Sequence, residues 1–447
     1  MNTLNNIREY ITLLDDANLK SYIRNLPLTT LLEFWDDLSS EEELKIFSLL
    51  NTEEKVDLIA SLSPGQQEKL IRQISDEHVK VLLEQMEPDD LTDFIQSVSP
   101  EARNSVWNNL SEEAKKETRF LLRYDEDDAA GLMTPNYLAI RSNITVASAI
   151  SFVRQHASEV ETVYNIYIID QLKRLIGVIS LRELLVSPDT VLIEDVMEKN
   201  VISVLENTDQ EEAAKILETY DFLALPVTDS YHRLLGIITF DDVMDVIREE
   251  QTEDIYKMGA MDGSTDRYLE SSIWNLIKKR IPWLTILLIA ATFTTNVLSA
   301  FEGLMASSIV LTLFIPTIIG TGGNSGTQSS TLMIRGLATR QIHYHDFWRI
   351  IGKEFLIASI IGLSMGVLII LRSVLLPPFV TIEEAAAVGI ALCFVIIVAT
   401  LVGATAPLMI HRLGFDPTVM AGPLMATIID LSGLTIYFLS AKLILGL

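Results

Sequence analysis

The spacing of apolar and polar positions changes character three times along this 447-residue chain. Over residues 5–122 the apolar positions recur at helical spacing inside a longer register. Leu38, Leu50, Leu62, Ile74, Met86, Val98 and Leu110 stand 12 residues apart, followed by Ser39, Asn51, Ser63, Ser75, Glu87, Ser99 and Ser111. Most of these followers are short polar side chains that can accept a bond from a free N–H of a first helical turn, as an N-cap must. The pattern predicts a stack of short helices, each with one cap and one buried row. Such units bury their apolar sides only against neighbours, so an all-α superhelical domain is expected over residues 1–130. It would offer a docking or sensing surface, although a plain helical domain carries the same pattern.

Over residues 131–249 the pattern shifts to short β-branched runs between helical stretches, and it occurs twice. "Leu132-Met133-Thr134-Pro135" is echoed by "Val196-Met197-Glu198". "Arg174-Leu175-Ile176-Gly177-Val178-Ile179-Ser180" is echoed by "Arg233-Leu234-Leu235-Gly236-Ile237-Ile238-Thr239". Residues 166–169 and 177–179 read as strands, and 147–154 and 211–220 as helices. This α/β repeat resembles a tandem cystathionine-β-synthase-type (CBS) pair, which implies a ligand-sensing regulator or a dimerisation module.

Residues 250–280 read as a polar connecting segment that ends in an amphipathic stretch, Tyr268 to Arg280, closed by Lys278, Lys279 and Arg280. Such a helix is expected to lie at a membrane surface. Five apolar spans follow within residues 281–447: 281–300, 303–334, 355–371, 385–410 and 417–441. Each approaches or exceeds the ~20 residues that cross a bilayer. Lys278–Arg280, Arg335, Arg340, Arg349, Lys353 and Arg412 fall on one side of the spans, against Glu302, Glu383 and Glu384 on the other. The positive-inside rule then puts the N-terminus in the cytoplasm and the C-terminus outside, with Arg372 and Lys442 as minor exceptions. The first ten residues lack an apolar core behind basic residues, so no cleavable signal is expected.

Charge sharpens this division. Residues 1–270 hold 53 acidic and 24 basic side chains, a net of −29, whereas residues 271–447 hold 7 and 10, a net of +3. The acidic half repels nucleic acid and attracts cations. Cys393 is the single cysteine, which excludes an intrachain disulfide.

Two features of the apolar half carry chemistry. Asp430 is the only charged residue between 417 and 441. A carboxylate at membrane depth costs at least ~2.5–3.5 kcal/mol, so it is expected beside water or a partner. Thr427, three residues earlier, shares its helix face. Protonation, or pairing with Arg372, would also neutralise it. The second feature is the run "Pro316-Thr-Ile-Ile-Gly320-Thr321-Gly322-Gly323-Asn324-Ser325-Gly326-Thr327-Gln328". Its glycines favour an unwound segment that would present carbonyls and the Asn324 and Gln328 amides to a hydrated ion. A helix kinked for tight packing is the other reading. The acidic half adds clusters at Asp89, Asp90 and Asp93, at Asp125–Asp128, at Asp241, Asp242 and Asp245, and at Glu249, Glu250, Glu253 and Asp254. Taken alone, each reads first as a solvated face. The six histidines are scattered, and there is no nucleophile–His arrangement, paired catalytic acids or Walker-type loop, so no enzyme is expected.

Taken together, the chain resembles the MgtE family of magnesium channels. "Pro316…Gly-Thr-Gly-Gly-Asn-x-Gly-x-Gln328" and "Pro423-Leu-Met-Ala-Thr-Ile-Ile-Asp430" are the motifs that carry the likeness. The resemblance implies a homodimer in a bacterial inner membrane with its pore between subunits. Asp430 from each chain would hold Mg²⁺ largely through water. It further implies regulatory Mg²⁺ on Asp57, Asp89 and Asp93 of the N-domain and on Glu211, Asp221, Asp242, Asp245, Glu250, Glu253 and Asp254 of the CBS pair and connecting helix. Bound Mg²⁺ would close the gate. Thr239 and Asp242 fit in part the pattern of a site for ATP or another adenine nucleotide. Two positions depart from the family pattern: Asp57 replaces a longer Glu, and Ala421-Gly422 replaces a more polar pair ahead of the last helix. An ion-coupled divalent cation transporter or exporter and a non-conducting CBS sensor are the alternatives.

Overall fold

The computed structural model describes residues 7–11, 16–261, 271–377 and 379–446. The chain divides into two compact units, Met1–Arg248 and Glu249–Leu447.

Among the described residues, the first unit contains the short helices α1 (Asp16–Arg24), α2 (Leu28–Glu33), α3 (Ser40–Leu49), α4 (Thr52–Ala60), α5 (Pro64–Ile71), α6 (Asp76–Leu83), α7 (Pro88–Ser97), α8 (Pro100–Asn109) and α9 (Glu112–Leu121). The 12-residue register holds. Leu38, Leu50, Leu62, Met86, Val98 and Leu110 are buried, and Ile74 packs partly buried on the same core. Caps stand where expected. The Glu54 amide donates to Asn51 Oδ1 at 2.8 Å and the Asn51 amide to Glu54 Oε2 at 2.7 Å, a reciprocal box repeated at Ser39 and Ser63. Ser99 and Ser111 accept from Ala102 and Ala114. Two followers leave the pattern. Ser75 Oγ lies 2.7 Å from His78 Nδ1, and Glu87 makes no cap bond.

The CBS repeat folds as two equivalent halves. The first holds β1 (Ala139–Ile140), α10 (Val146–His156), β2 (Asn165–Ile169), β3 (Leu175–Ser180), α11 (Leu181–Val186) and α12 (Ile193–Val196). The second holds β4 (Val204–Leu205), α13 (Gln210–Thr219), β5 (Ala224–Thr228) and β6 (Leu234–Thr239). Each sheet has the order parallel strand, central strand, antiparallel strand, with a bulge at Ile168/Ile169 and again at Val227/Thr228. The echoed sequences explain the match. Gly177 leaves no room for a side chain against Met197, and Gly236 none against Met133. The halves also exchange backbone bonds, Thr134 with Ile237 and Glu198 with Val178.

From β6 the chain runs into α14 (Phe240–Met258), whose length carries it from the first unit into the second. The expected connecting helix is thus one continuous extension of the last CBS helix. Of the expected interfacial stretch, residues 268–270 lie outside the described residues. Residues 273–280 belong to α15 (Ile273–Ala300), capped by Ser272, which continues without a break through the first span. A separate surface helix is therefore not what residues 273–280 form.

After α15 come α16 (Glu302–Ser307), α17 (Ile309–Ala338), α18 (Phe347–Leu375), α19 (Ile382–Arg412) and α20 (Pro423–Leu445). Five of these, α15 and α17–α20, are long and apolar enough to cross a membrane. In hydrocarbon a backbone must satisfy its own polar groups, which a long helix does. Residues 417–420, expected within the last span, form instead a 3₁₀ turn ahead of Pro423. The core of this unit joins Phe314 and Ile318 of α17, Val395 and Ile396 of α19, and Leu434, Tyr437 and Phe438 of α20. The Tyr437 hydroxyl donates to the Leu311 carbonyl at 2.8 Å.

α17 corrects one expectation. It is helical throughout residues 309–338, so the glycine run is not unwound. A methyl group on Gly326 would collide with Ile429 and press on the Ala399 carbonyl at 3.0 Å, and one on Gly322 would meet Val395 at 2.8 Å. A side chain on Gly403 would strike the Gly326 backbone. The glycines let α17, α19 and α20 touch backbone to backbone, and packing of this kind outweighs the low intrinsic helix propensity of glycine.

Candidate cation sites

α20 starts at Pro423, whose missing N–H costs nothing in a first turn. Its buried face presents Met425, Ile429, Gly433 and Tyr437 to the other helices. Asp430 falls beside that face and is half-buried. Among the described residues no hydrogen bond or ion pair reaches its carboxylate. Arg372, the candidate counter-charge, stands instead over the Phe314 ring, 5.9 Å from its centroid. Thr427 donates its hydroxyl to the Pro423 carbonyl at 2.9 Å, which leaves its oxygen lone pairs on the face it shares with Asp430.

The polar residues of α17 sort by face. Ser325 Oγ lies 2.8 Å from Thr400 Oγ1, Ser330 donates to the Met420 carbonyl at 3.0 Å, and Ser329 donates to Glu354 Oε2 at 2.7 Å. Glu354, on α18, is a buried carboxylate that sequence reading passed over because it borders the basic loop. Asn324 and Gln328, four residues apart, share the opposite, exposed face. Their amides find no hydrogen-bond partner among the described residues, and no bond links them to Asp430. Exposed amides on a membrane helix call for water or a second protein surface rather than lipid.

The first unit holds a second concentration of charge. α7 places Asp89 and Asp90 in its first turn, and Glu87 immediately precedes it. Glu161 follows α10 in the first CBS half, and its amide donates to the Asn136 carbonyl at 3.1 Å. One carboxylate oxygen each from Glu87, Asp89 and Glu161 lie within 4.8 Å of one another. Asp89 is 7% exposed, and among the described residues its Oδ1 has no hydrogen-bond partner, nor has Glu161 Oε2. Asp242, at the head of α14, accepts a bond from the Thr239 hydroxyl.

The electrostatics follow from this crowding. Burial, then the neighbouring Glu161, Asp242, Asp90 and Glu87, holds the Asp89 carboxyl well above its ordinary range. Burial with Glu87 and Asp242 pushes Glu161 up to about 8, against a smaller opposing bond from Thr134. Burial raises Asp90 to about 6, helped by Glu87, Asp241, Asp57 and Asp245. Asp242 also rises to about 6 by burial, although the Thr239 bond opposes it. Asp57 rises through burial and then Glu53 and Glu54. Such a set is stable with protons on it or with a cation in it. The donor set is all carboxylate oxygen, which suits Mg²⁺ or Ca²⁺ over softer metals. The orphaned Asp89 and Glu161 oxygens are the acceptors such an ion would use.

The other sequence candidates are placed differently. Asp93 lies exposed on α7. Asp245 is exposed and pairs with Arg248 at 2.7 Å. Glu211 pairs with Lys215 at 2.5 Å near the start of α13, and Asp221 follows the end of that helix at φ +53°. Glu250, Glu253 and Asp254 lie on the part of α14 within the second unit, where Glu253 pairs with Lys257 at 2.8 Å. Glu87 and Glu161 were missed as a pair, being 74 positions apart in sequence. One signal was available: Glu87 stands where the 12-residue register otherwise places Ser or Asn.

Known families match in successive segments. Residues 315–440 match the family described as MgtE, divalent cation transporter; residues 9–127 match the MgtE intracellular N domain; residues 129–187 and 193–249 each match a CBS domain. The magnesium transporter MgtE of Thermus thermophilus is 40% identical over 337 residues, covering 74% of this chain and 73% of that protein. The magnesium transporter MgtE of Enterococcus faecalis is 37% identical over 326 residues, 73% of this chain and 71% of that one. A crystal structure of the cytosolic domain of the Mg²⁺ channel MgtE in complex with ATP is similar over 54% of this chain and 98% of its own, with TM-score 0.52 and 35% identity.

Proposed function

This chain belongs to the MgtE family of divalent cation transporters, multi-pass membrane proteins and not enzymes, and from that premise we propose that it is a Mg²⁺-selective channel for magnesium uptake. The observation that carries the reading is Asp430, a carboxylate in an apolar helix with no internal partner among the described residues. A charge there is tolerable when a hydrated cation faces it. One carboxylate matches half of a divalent charge. In this reading two copies of Asp430, each with Thr427 on its face, meet at a homodimer axis and hold Mg²⁺ through its water. Asn324 and Gln328, exposed on α17, line the same wet surface. The basic loops put the N-terminus in the cytoplasm of a bacterial cell and the C-terminus outside.

Regulation follows from the carboxylates. At low Mg²⁺ the carboxylates around buried Asp89, with Glu87, Asp90, Glu161, Asp242 and neighbouring Asp57 and Asp245, either repel one another or must hold protons. Mg²⁺ on this set, and on Asp93, Glu211, Asp221, Glu250 and Asp254, holds the soluble domains together and closes the gate. Such a shift needs only a differential affinity between two states. The ATP-bound relative supports an adenine nucleotide in the CBS pair, near Thr239 and Asp242. The test is Mg²⁺ uptake into liposomes with no H⁺ or Na⁺ gradient. Uptake under those conditions supports a channel. Uptake only with a co-ion gradient points to a coupled transporter, and none under either condition to a sensor.

A further inference from the structure

The end of α14 meets the loop that leads into α20. Lys257 Nζ lies 2.8 Å from Glu253 Oε1 on its own helix and 2.8 Å from Asp416 Oδ2 across the contact. Asp416 is itself fixed: its Oδ1 accepts from the Thr418 amide at 2.8 Å and the Thr418 hydroxyl at 2.6 Å, which caps the 3₁₀ turn. Partial burial would raise the Asp416 carboxyl, yet the Lys257 and Thr418 bonds hold it below its ordinary range. Six residues after Asp416, Gly422 lies against the Met258 carbonyl, and any Cβ there would strike that oxygen. The bare backbone of Gly422 thus gives the last turn of α14 a seat one residue before Pro423.

A cation already occupies the point between Glu253 and Asp416, and it is tethered to the chain. A tethered ammonium does not dissociate, so a contact built on it has no dependence on ion concentration. We propose that Lys257 is a built-in cation clasp that fastens the end of α14 to the head of the Asp430 helix at all Mg²⁺ concentrations. Glu253 is thereby removed from the set of regulatory metal ligands. Mg²⁺ control then acts on the other carboxylates, and the clasp passes their state on to α20. The contact stands on geometry; only its consequence for gating rests on the channel reading.

Hydrogen exchange by mass spectrometry on the full chain in detergent tests this without any flux measurement. In wild type, amides 254–258 are expected to exchange equally slowly in EDTA and in millimolar Mg²⁺. Lys257→Gln is expected to exchange about tenfold faster in EDTA, the loss of a charge-assisted contact. Millimolar Mg²⁺ should restore protection to this variant, because Glu253 and Asp416 are now open to the ion. The exchanged pair Lys257→Glu with Asp416→Lys should recover wild-type protection in EDTA. Protection of α17 and α19 in the same samples reports that each variant is folded. The proposal is overturned if wild-type protection itself needs Mg²⁺, if Lys257→Gln exchanges like wild type, or if the exchanged pair fails to recover. Liposome uptake reads the channel reading separately.

Discussion

Glu161→Gln isolates the charge in the buried carboxylate set while keeping the size of the side chain. With the three carboxylate oxygens within 4.8 Å of one another, each repulsion between ionised neighbours is at least about 3.5 kcal/mol for an effective dielectric near 20. Burial first, and then this repulsion, raises Glu161 to about 8. At pH 7 such a group is about nine-tenths protonated, so an incoming cation must expel about one proton from it. Mg²⁺ titrated into the full-length protein by calorimetry, in two buffers of different ionisation heat, reads that number. Wild type should release about one proton per ion from Glu161, plus a further share from Asp89, and affinity should fall about tenfold per pH unit below 8 for each proton displaced. Glu161→Gln should lower the release by about one and flatten the pH dependence. The stability sign agrees. Between about pH 4.5 and 8 the native state keeps a proton that the unfolded chain has lost, so without Mg²⁺ stability falls as pH rises through that window. Mg²⁺ should cancel the slope. Equal heats in both buffers, or an unchanged release in Glu161→Gln, would refute the reasoning.

Two further outcomes are expected in the membrane unit. Gly326→Val, which drives a side chain into Ile429 and the Ala399 carbonyl, should cost about 1–3 kcal/mol or more and lower the detergent melting temperature by several degrees, read by size-exclusion after heating; an unchanged melting temperature would mean the three helices do not pack as described. Asn324→Leu with Gln328→Leu should leave that melting temperature within error, because both amides are exposed, while cutting Mg²⁺ uptake severalfold; uptake at the wild-type level would remove that face from the conduction path.

Much of the fold was legible because period and composition report it directly. The 12-residue register carried its own caps, the CBS repeat carried its own echo, and five apolar stretches sized the membrane helices. The glycine run was misread for a physical reason. Glycine signals either a loose backbone or a close approach, and only the positions of Ile429, Val395 and Gly403 decide between them. Asp430 was legible because a lone carboxylate has no ordinary place in such a segment. The Glu87–Asp89–Glu161 set was half legible: acidity and resemblance found Asp89, but Glu161 is brought in by tertiary folding from the CBS pair. The Glu253–Lys257 spacing could be read from sequence as an i, i+4 pair, whereas the reach of Lys257 to Asp416 could not, since it depends on where α14 ends.

Mg²⁺ uptake into liposomes holding wild type, Asp430→Asn or Asp430→Ala tests most directly whether the lone carboxylate faces a conducted ion. All three proteins should fold alike, since Asp430 makes no hydrogen bond or ion pair among the described residues, and both variants should lose most Mg²⁺ uptake or its selectivity over monovalent ions. Folded variants that carry Mg²⁺ as fast and as selectively as wild type would contradict the account.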